Sequence, residues 1–399
     1  MVVIKPGTAL MIAGLFWTLF SPLYIEEMFY RAILKCHIVI YITLYMSLVE
    51  HKKLKVKRRR SSVSSNGVIA ANEEHKTKRK KLKVRKCTEA ENISINHDIQ
   101  QNNNGKDNKI DFENLVIEGG GVLGIAYLGA LRELFNDKSI EKASSFAGSS
   151  IGSIVATVLA IRCNYQRLEE IVLNLNLEEF KDRSWLIPDI ARFLNKFGFY
   201  KGDKLLKFVQ DFLRENTGNP DITFKELYDK YKTKLVITGT NLSKGNVTYF
   251  CVENTPDMPV ALANRISCSV PYLFQSLMYN NDYYIDGGIL NNYPINIFDI
   301  NKCINKKTLG LKLISESDIN IEKGFMTPIT NIKTFTLNLM TSVQGQALKI
   351  HVKQDDWKRT VCIYTGNLSF LNFNLTNEEK LFLVNEGSKA IKNYKIENA

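Results

Sequence analysis

Histidine is scarce in this 399-residue chain. His37, His51, His75, His97 and His351 are all there are, and only His351 lies in the part that reads as folded. Cysteine pairs at short spacing are missing as well. Cys36, Cys87, Cys163, Cys251, Cys268, Cys303 and Cys362 are odd in number and widely spaced, with no C-x-x-C. That excludes a disulfide framework and argues against a structural zinc site. A reducing, cytosol-facing compartment is the simpler setting. Internal repeats are absent. Acidic side chains are nearly missing from residues 51–87, where 15 lysines and arginines face only Glu73 and Glu74. The formal net charge of +12 therefore belongs to one short segment, and the rest of the chain is close to neutral. No aromatic residue interleaves the basic runs HKKLKVKRRR and KTKRKKLKVRK, so they offer no base-stacking platform and a nucleic-acid role is disfavoured.

What is present divides the chain into three parts. Residues 1–50 carry two apolar stretches. Gly7 to Tyr24 has no charged residue and, as a helix, would reach about 27 Å, close to the hydrocarbon thickness of a bilayer. The second, about Ile38 to Val49, is too short to span alone, although Lys35 could snorkel from its start. No small-residue cleavage site follows Phe20, so a cleaved signal peptide is disfavoured. One or two membrane segments are the expectation. The lysines and arginines that follow put the remainder on the cytoplasmic side by the positive-inside rule. Residues 51–110 read as a basic, polar linker. Its 51–86 portion suits an anionic membrane surface, and its end is rich in asparagine. Residues 111–395 read as a globular domain.

Within that domain short apolar strands alternate with helical patterns. Leu115 to Ile117, Ser144 to Ala147, Leu235 to Ile237, Val247 to Phe250 and Leu309 to Ile314 read as strands. Val122 to Phe135, Ile151 to Ile161 and the run through Leu205, Phe208, Val209 and Phe212 read as helices. Thr376 with Glu379 forms a capping-box pattern ahead of a last helix. The alternation predicts an α/β fold with a mainly parallel central sheet flanked by helices.

Three patterns carry chemistry. Glu118-Gly119-Gly120-Gly121-Val122-Leu123-Gly124 follows a strand and opens a helix, so its backbone N–H groups can face a phosphate or an oxyanion. A dinucleotide site, and with it an oxidoreductase, would require an acid closing the next strand, and none is there. That strand closes instead on Gly148-Ser149-Ser150-Ile151-Gly152, a G-x-S-x-G in the strand–turn–helix context of a nucleophile elbow. The third pattern, Asp286-Gly287-Gly288, follows the aromatic run Tyr283-Tyr284-Ile285. A serine hydroxyl needs a base. His351 could complete a triad esterase, but it sits in the charged stretch LKIHVKQDD with no turn signal. Asp286 acting directly on Ser150 is the economical arrangement, since burial beside apolar residues would strengthen the acid as a base.

Taken in order, the glycine loop, the G-x-S-x-G and the D-G-G resemble the patatin-like phospholipases over roughly residues 112–393. Ser267-Cys268-Ser269-Val270-Pro271-Tyr272-Leu273-Phe274 and Asn291-Asn292-Tyr293-Pro294-Ile295 are similar to the segments on either side of that family's D-G-G. The resemblance implies a three-layer fold and a Ser-Asp dyad that hydrolyses acyl esters of lipids. Ser150 would form the acyl-enzyme, and Asp286 would activate the serine and then water. Gly119, Gly120 and Gly121 would supply oxyanion-hole N–H groups, while Gly124, Gly148, Gly152, Gly287 and Gly288 shape the turns. It implies no cofactor, no metal and no calcium requirement. Membrane lipids, phospholipid or acylglycerol, are the implied substrates. Leu123 departs from the lysine or arginine that many members carry there, which leaves headgroup preference open. A catalytically inactive lipid-binding scaffold is the alternative. Trp185-Leu186-Ile187-Pro188 is the apolar segment to inspect for substrate access.

Overall fold

The computed structural model describes residues 109–398, apart from 174–178, 183–192, 194, 302, 317, 320–327 and 331. These residues belong to a unit spanning Gln100–Ala399. The expected anchor, almost all of the linker and the Trp185–Pro188 segment lie outside the described residues. Among the described residues no helix is long and apolar enough to cross a membrane.

The chain enters the fold on β1 (Asn114–Ile117). A 3-10 turn (Gly121–Ile125) leads into α1 (Ala126–Asn136), then β2 (Ser145–Gly148) and α2 (Ile151–Ala160). After α3 (Tyr165–Leu173) come β3 (Gly198–Tyr200), α4 (Asp203–Thr217), α5 (Phe224–Tyr231), β4 (Lys234–Asn241) and β5 (Asn246–Phe250). Next are α6 (Val260–Ser267), β6 (Tyr272–Phe274), β7 (Leu277–Tyr279), β8 (Asp282–Asp286) and the single turn α7 (Gly288–Asn291). The series closes with β9 (Thr308–Ile314), α8 (Ile332–His351), β10 (Thr360–Tyr364) and α9 (Asn377–Glu397). Thr376 and Glu379 cap α9 reciprocally, as their spacing predicts.

The main sheet runs β10-β9-β1-β2-β4-β8-β7, with β5 paired to β4. Its first five strands are mutually parallel, whereas the β4–β5, β4–β8 and β8–β7 pairings are antiparallel. The mainly parallel sheet expected from the sequence thus carries an antiparallel flank. The flank forms because short loops join β4 to β5 and β7 to β8, too short for a crossover helix. The register aligns Val116, Ala147 and Val236 in one row across β1, β2 and β4. That row faces a small core with Tyr293, Ile295 and Phe298. The alternate residues Leu115, Phe146 and Leu235 face the larger core, which holds the apolar faces of α1, α2 and α6. Both faces of the central strands are thus covered, which is why they read as unbroken apolar runs. Strand order reverses at β1, with β2 and β4 on one side and β9 and β10 on the other. In open parallel sheets that reversal opens a crevice at the carboxyl ends of the strands.

Candidate active site

Ser150 stands in that crevice, between β2 and α2. Its backbone has φ 50° and ψ −127°, a left-handed conformation that costs a non-glycine residue roughly 1–3 kcal/mol. The turn is held from three sides. Ser150 N–H donates to Ser267 Oγ at 2.8 Å. The Ser150 carbonyl accepts from Ser153 N–H and from Ser153 Oγ at 2.8 and 2.6 Å. Gly152 lets α2 come down on β1: a Cβ there would lie 2.4 Å from the Ile117 carbonyl oxygen. The elbow exposes the serine at the N-terminus of a helix that is buried throughout its ten residues.

Asp286 ends β8 and is buried. Its Oδ1 accepts from Gly288 N–H at 2.7 Å, and its Oδ2 has no hydrogen-bond partner among the described residues. Burial pushes the carboxyl pKa up to about 7, against the lowering pull of the Gly288 N–H and the Ser150 hydroxyl. The Ser150 hydroxyl is therefore close enough to act on the carboxyl, though no fully formed hydrogen bond joins them. The Asp286 N–H donates to the Ser269 carbonyl at 2.9 Å, which fixes the acid against the segment that also holds Ser150.

The glycine loop lies against the elbow. A Cβ on Gly119 would sit 2.3 Å from Asn292 Oδ1 and 3.1 Å from Ser150 Cβ, so a side chain there would crowd both. Gly120 and Gly121 N–H have no backbone or side-chain acceptor among the described residues and remain available as donors, as does Ile151 N–H at the start of α2. Gly119 differs from the expectation. Its N–H is spent on the Asn292 carbonyl at 3.2 Å, and Asn292 Nδ2 returns a 2.9 Å bond to the Gly119 carbonyl. Gly119 anchors the loop to the segment after the D-G-G. Leu123 is buried. Gly124 is packed against Ile151, Gly148 against Gly152, Gly287 against Thr238 and Gly288 against Asn292.

Several residues that hold the site are invisible to local reading. Asn264 on α6 accepts from Ser153 Oγ at 2.9 Å and donates to Thr157 Oγ1 at 2.9 Å, a buried polar link between α6 and α2. Arg265 is fully buried, with no carboxylate among its hydrogen-bond partners in the described residues. It donates to the carbonyls of Lys201, Gly202 and Gln275 and to Ser269 Oγ. Burial lowers its pKa to about 10. Cys268, next to it along the helix, is pushed up to about 12 by burial and so stays a neutral thiol. Glu118 forms a buried ion pair with Lys312 of β9 at 2.6 Å and accepts from Leu313 N–H at 2.8 Å. The partners of Asn264 and Glu118 are 107 to 195 positions away, so no spacing rule signals them. His351 ends α8, and no hydrogen bond joins its ring to Ser150 or Asp286. No group of three or more His, Cys, Asp or Glu among the described residues could hold a metal ion.

Ser267→Ala tests the clamp on the elbow. The variant leaves the Ser150 N–H without its acceptor, at a cost of about 1 kcal/mol. An approximately 10-fold drop in serine reactivity toward a fluorophosphonate is expected, with the thermal midpoint lowered by a few degrees. Unchanged reactivity would show that the bond does not position the serine.

By architecture the described residues form a three-layer α/β domain, with a strained serine turn and a buried aspartate at the carboxyl edge of its parallel strands. Residues 115–299 match the family model described as patatin-like phospholipase. The patatin-like resemblance read from the sequence is borne out over that span. An uncharacterised protein, R571, of Acanthamoeba polyphaga mimivirus is 29% identical over 285 residues, which cover 70% of this chain and 92% of that protein. A protein of Invertebrate iridescent virus 6 described as probable lipid hydrolase 463L is 32% identical over 194 residues, 47% of this chain and 63% of that one. Among solved structures, VipD from Legionella pneumophila superposes with a TM-score of 0.49 at 16% identity, covering 72% of this chain and 67% of VipD.

Proposed function

We propose that the chain hydrolyses acyl esters of lipids with a Ser150–Asp286 dyad. The observation that carries the reading is the strained, clamped Ser150 beside a buried carboxyl whose pKa is raised to about 7. An acid of that strength is half ionised near neutral pH, which suits a general base. In the proposed cycle Ser150 Oγ attacks the ester carbonyl while Asp286 takes its proton. The tetrahedral oxyanion is met by the N–H groups of Gly120 and Gly121, with the N-terminus of α2 adding its positive dipole end. Collapse expels the alcohol, which leaves with the proton from Asp286. Water, deprotonated by Asp286, then attacks the acyl-serine and releases the fatty acid. The similarity to a viral protein described as a probable lipid hydrolase supports an acyl-lipid substrate. The buried Leu123, in a loop position without a cation, leaves neutral acylglycerols as acceptable as phospholipids. The apolar stretches in residues 1–50 and the basic 51–86 segment support attachment to an anionic, cytoplasm-facing membrane surface. A tether of that kind raises the effective concentration of a bilayer substrate.

A fluorophosphonate probe tests the dyad. The wild-type chain should be labelled, Ser150→Ala should not be, and Asp286→Asn should label on the order of 100-fold more slowly. A folded wild-type chain that resists labelling would instead point to an inactive lipid-binding scaffold.

A further inference from the structure

The sheet projects apolar side chains past the site. Gly148, two residues before Ser150, is level with Ile237 of β4. β4 then continues in the same direction, so Leu242 stands roughly 15 Å beyond the level of Gly148. The Leu242 N–H donates to the Tyr283 carbonyl at 2.8 Å, and Tyr283 pairs with Met278 on β7. Leu242, Tyr283 and Met278 thus form one cross-strand row on the carboxyl edge of the sheet. The row continues: the Phe197 ring meets the Tyr283 ring edge-on at 6.1 Å. Beyond Phe197, Phe199 and Tyr272 lie on the adjoining two-stranded ribbon of β3 and β6. All six side chains are exposed, with Met278 at 58%, Phe197 at 54% and Leu242 at 53%.

Phe199 also stacks on Phe193 at 4.4 Å, while the other five, large and apolar and exposed together, are a surface that expects a partner. Two of them are held out at a cost in backbone strain. Phe197 and Tyr272 have φ of 63° and 66°, a region that bulky residues rarely occupy. The charge beside the ribbon is basic, whereas beside Tyr283 Lys244 pairs with Asp282. Exposed Lys196 and Lys201 bracket Phe197-Gly198-Phe199-Tyr200, and no ion pair to either is found among the described residues. Aromatic rings with lysines at their margin match the lipid–water boundary, where rings sit at headgroup depth and the ammonium groups reach anionic lipid.

We propose that the crest formed by Leu242, Met278, Tyr283, Phe197, Phe199 and Tyr272 docks the domain on a lipid surface, so that an acyl chain passes from the bilayer to Ser150 without crossing water. The inference rests on the lipid acyl hydrolase reading. Arg265 ties the crest to the site: it grips the Lys201, Gly202 and Gln275 carbonyls beside β3 and β6, and its bond to Ser269 Oγ holds the residue whose carbonyl anchors Asp286.

The test uses the full chain with Phe197→Asn, Leu242→Ser and Met278→Ser combined. All three positions are exposed, and asparagine tolerates the left-handed backbone at 197. Hydrolysis of a long-chain fluorogenic ester carried in phosphatidylcholine–phosphatidylserine vesicles should fall at least about 10-fold, while hydrolysis of monomeric p-nitrophenyl butyrate stays within about two-fold. Equal rates on vesicles, or parallel losses on both substrates, would overturn the proposal. A second arm does not depend on turnover. In the Ser150→Ala background, Met278→Trp should add emission that brominated phosphatidylcholine quenches, over the signal of the parent chain. No added quenching would overturn the crest as a lipid contact. A wild-type dimer that the triple variant dissolves would overturn it in favour of self-association. If the wild-type chain hydrolyses neither ester, the dyad reading fails, and the quenching arm alone decides the crest.

Discussion

Asp286→Asn should abolish ester hydrolysis while making the protein more stable at pH 8. The side chain is buried and its carboxyl pKa stands at about 7, raised chiefly by burial. In the unfolded chain the same group titrates near an ordinary carboxylate value, about 4. The folded state therefore binds the proton more tightly. Stability from this group is intact below about pH 4, declines as pH rises toward 7, and stays at its lowest above that. The gap between the folded and unfolded values corresponds to about 4 kcal/mol at most. Asparagine keeps an oxygen for the Gly288 N–H and carries no charge to desolvate. The variant should thus melt above the wild type at pH 8, and the difference should vanish toward pH 4. Activity should fall by about 10³-fold or more, since a general base contributes on that order. For the wild type, kcat/KM should climb with pH and level off above about 7. An Asn variant with no pH-dependent stability gain, or a flat rate profile, would show that Asp286 is not the titrating base.

Lys312→Met should cost roughly 3–5 kcal/mol of stability, because it strands the Glu118 carboxylate in the interior. The two groups meet at 2.6 Å with both side chains buried. Burial opposes the Lys312 charge, but the attraction and hydrogen bond of Glu118 outweigh it, and the Lys312 pKa lies above its usual value. Burial also raises Glu118, against the pull of Lys312 and the Leu313 N–H. With the lysine gone, the upward push of burial on Glu118 would lose its main counterweight, and the loop that starts at Gly119 would lose its fixed root. Adding Glu118→Gln removes the stranded charge yet keeps an acceptor for Leu313 N–H, so the double variant should recover most of the loss. Urea midpoints of the wild type, both single variants and the double variant measure this. A Lys312→Met chain as stable as the wild type would refute the account.

Much of the site was legible in the sequence because its parts are local. A strand that ends in glycines, a serine between glycines ahead of an apolar helix, and an acid followed by two glycines each specify their own turn within about seven residues. Ser150 sits at the elbow those neighbours predict, with the positive φ that the turn demands. Asp286 closes β8 as the run Tyr283-Tyr284-Ile285 implies. The role of Gly119 was not legible. Three glycines in a row look equivalent, and only the approach of Asn292 commits the first of them to anchoring. Which strands form the antiparallel flank of the mainly parallel sheet was not legible for a similar reason. Strand patterns report which residues are apolar, not which neighbour a strand will choose.

By itself the sequence determined the alternation of strands and helices, the three turns and the capped last helix, since each follows from hydrophobic period and turn chemistry along a few residues. Tertiary structure alone decided which distant groups meet. Glu118 finds Lys312 at a separation of 194 residues, Ser150 finds Ser267 at 117, and Leu242, Tyr283 and Met278 fall into one row only once β4, β8 and β7 are in register. Hydrogen bonds, ion pairs and strand register act through space, over a few ångströms. Separation along the chain does not enter their energy, so local patterns carry no record of them.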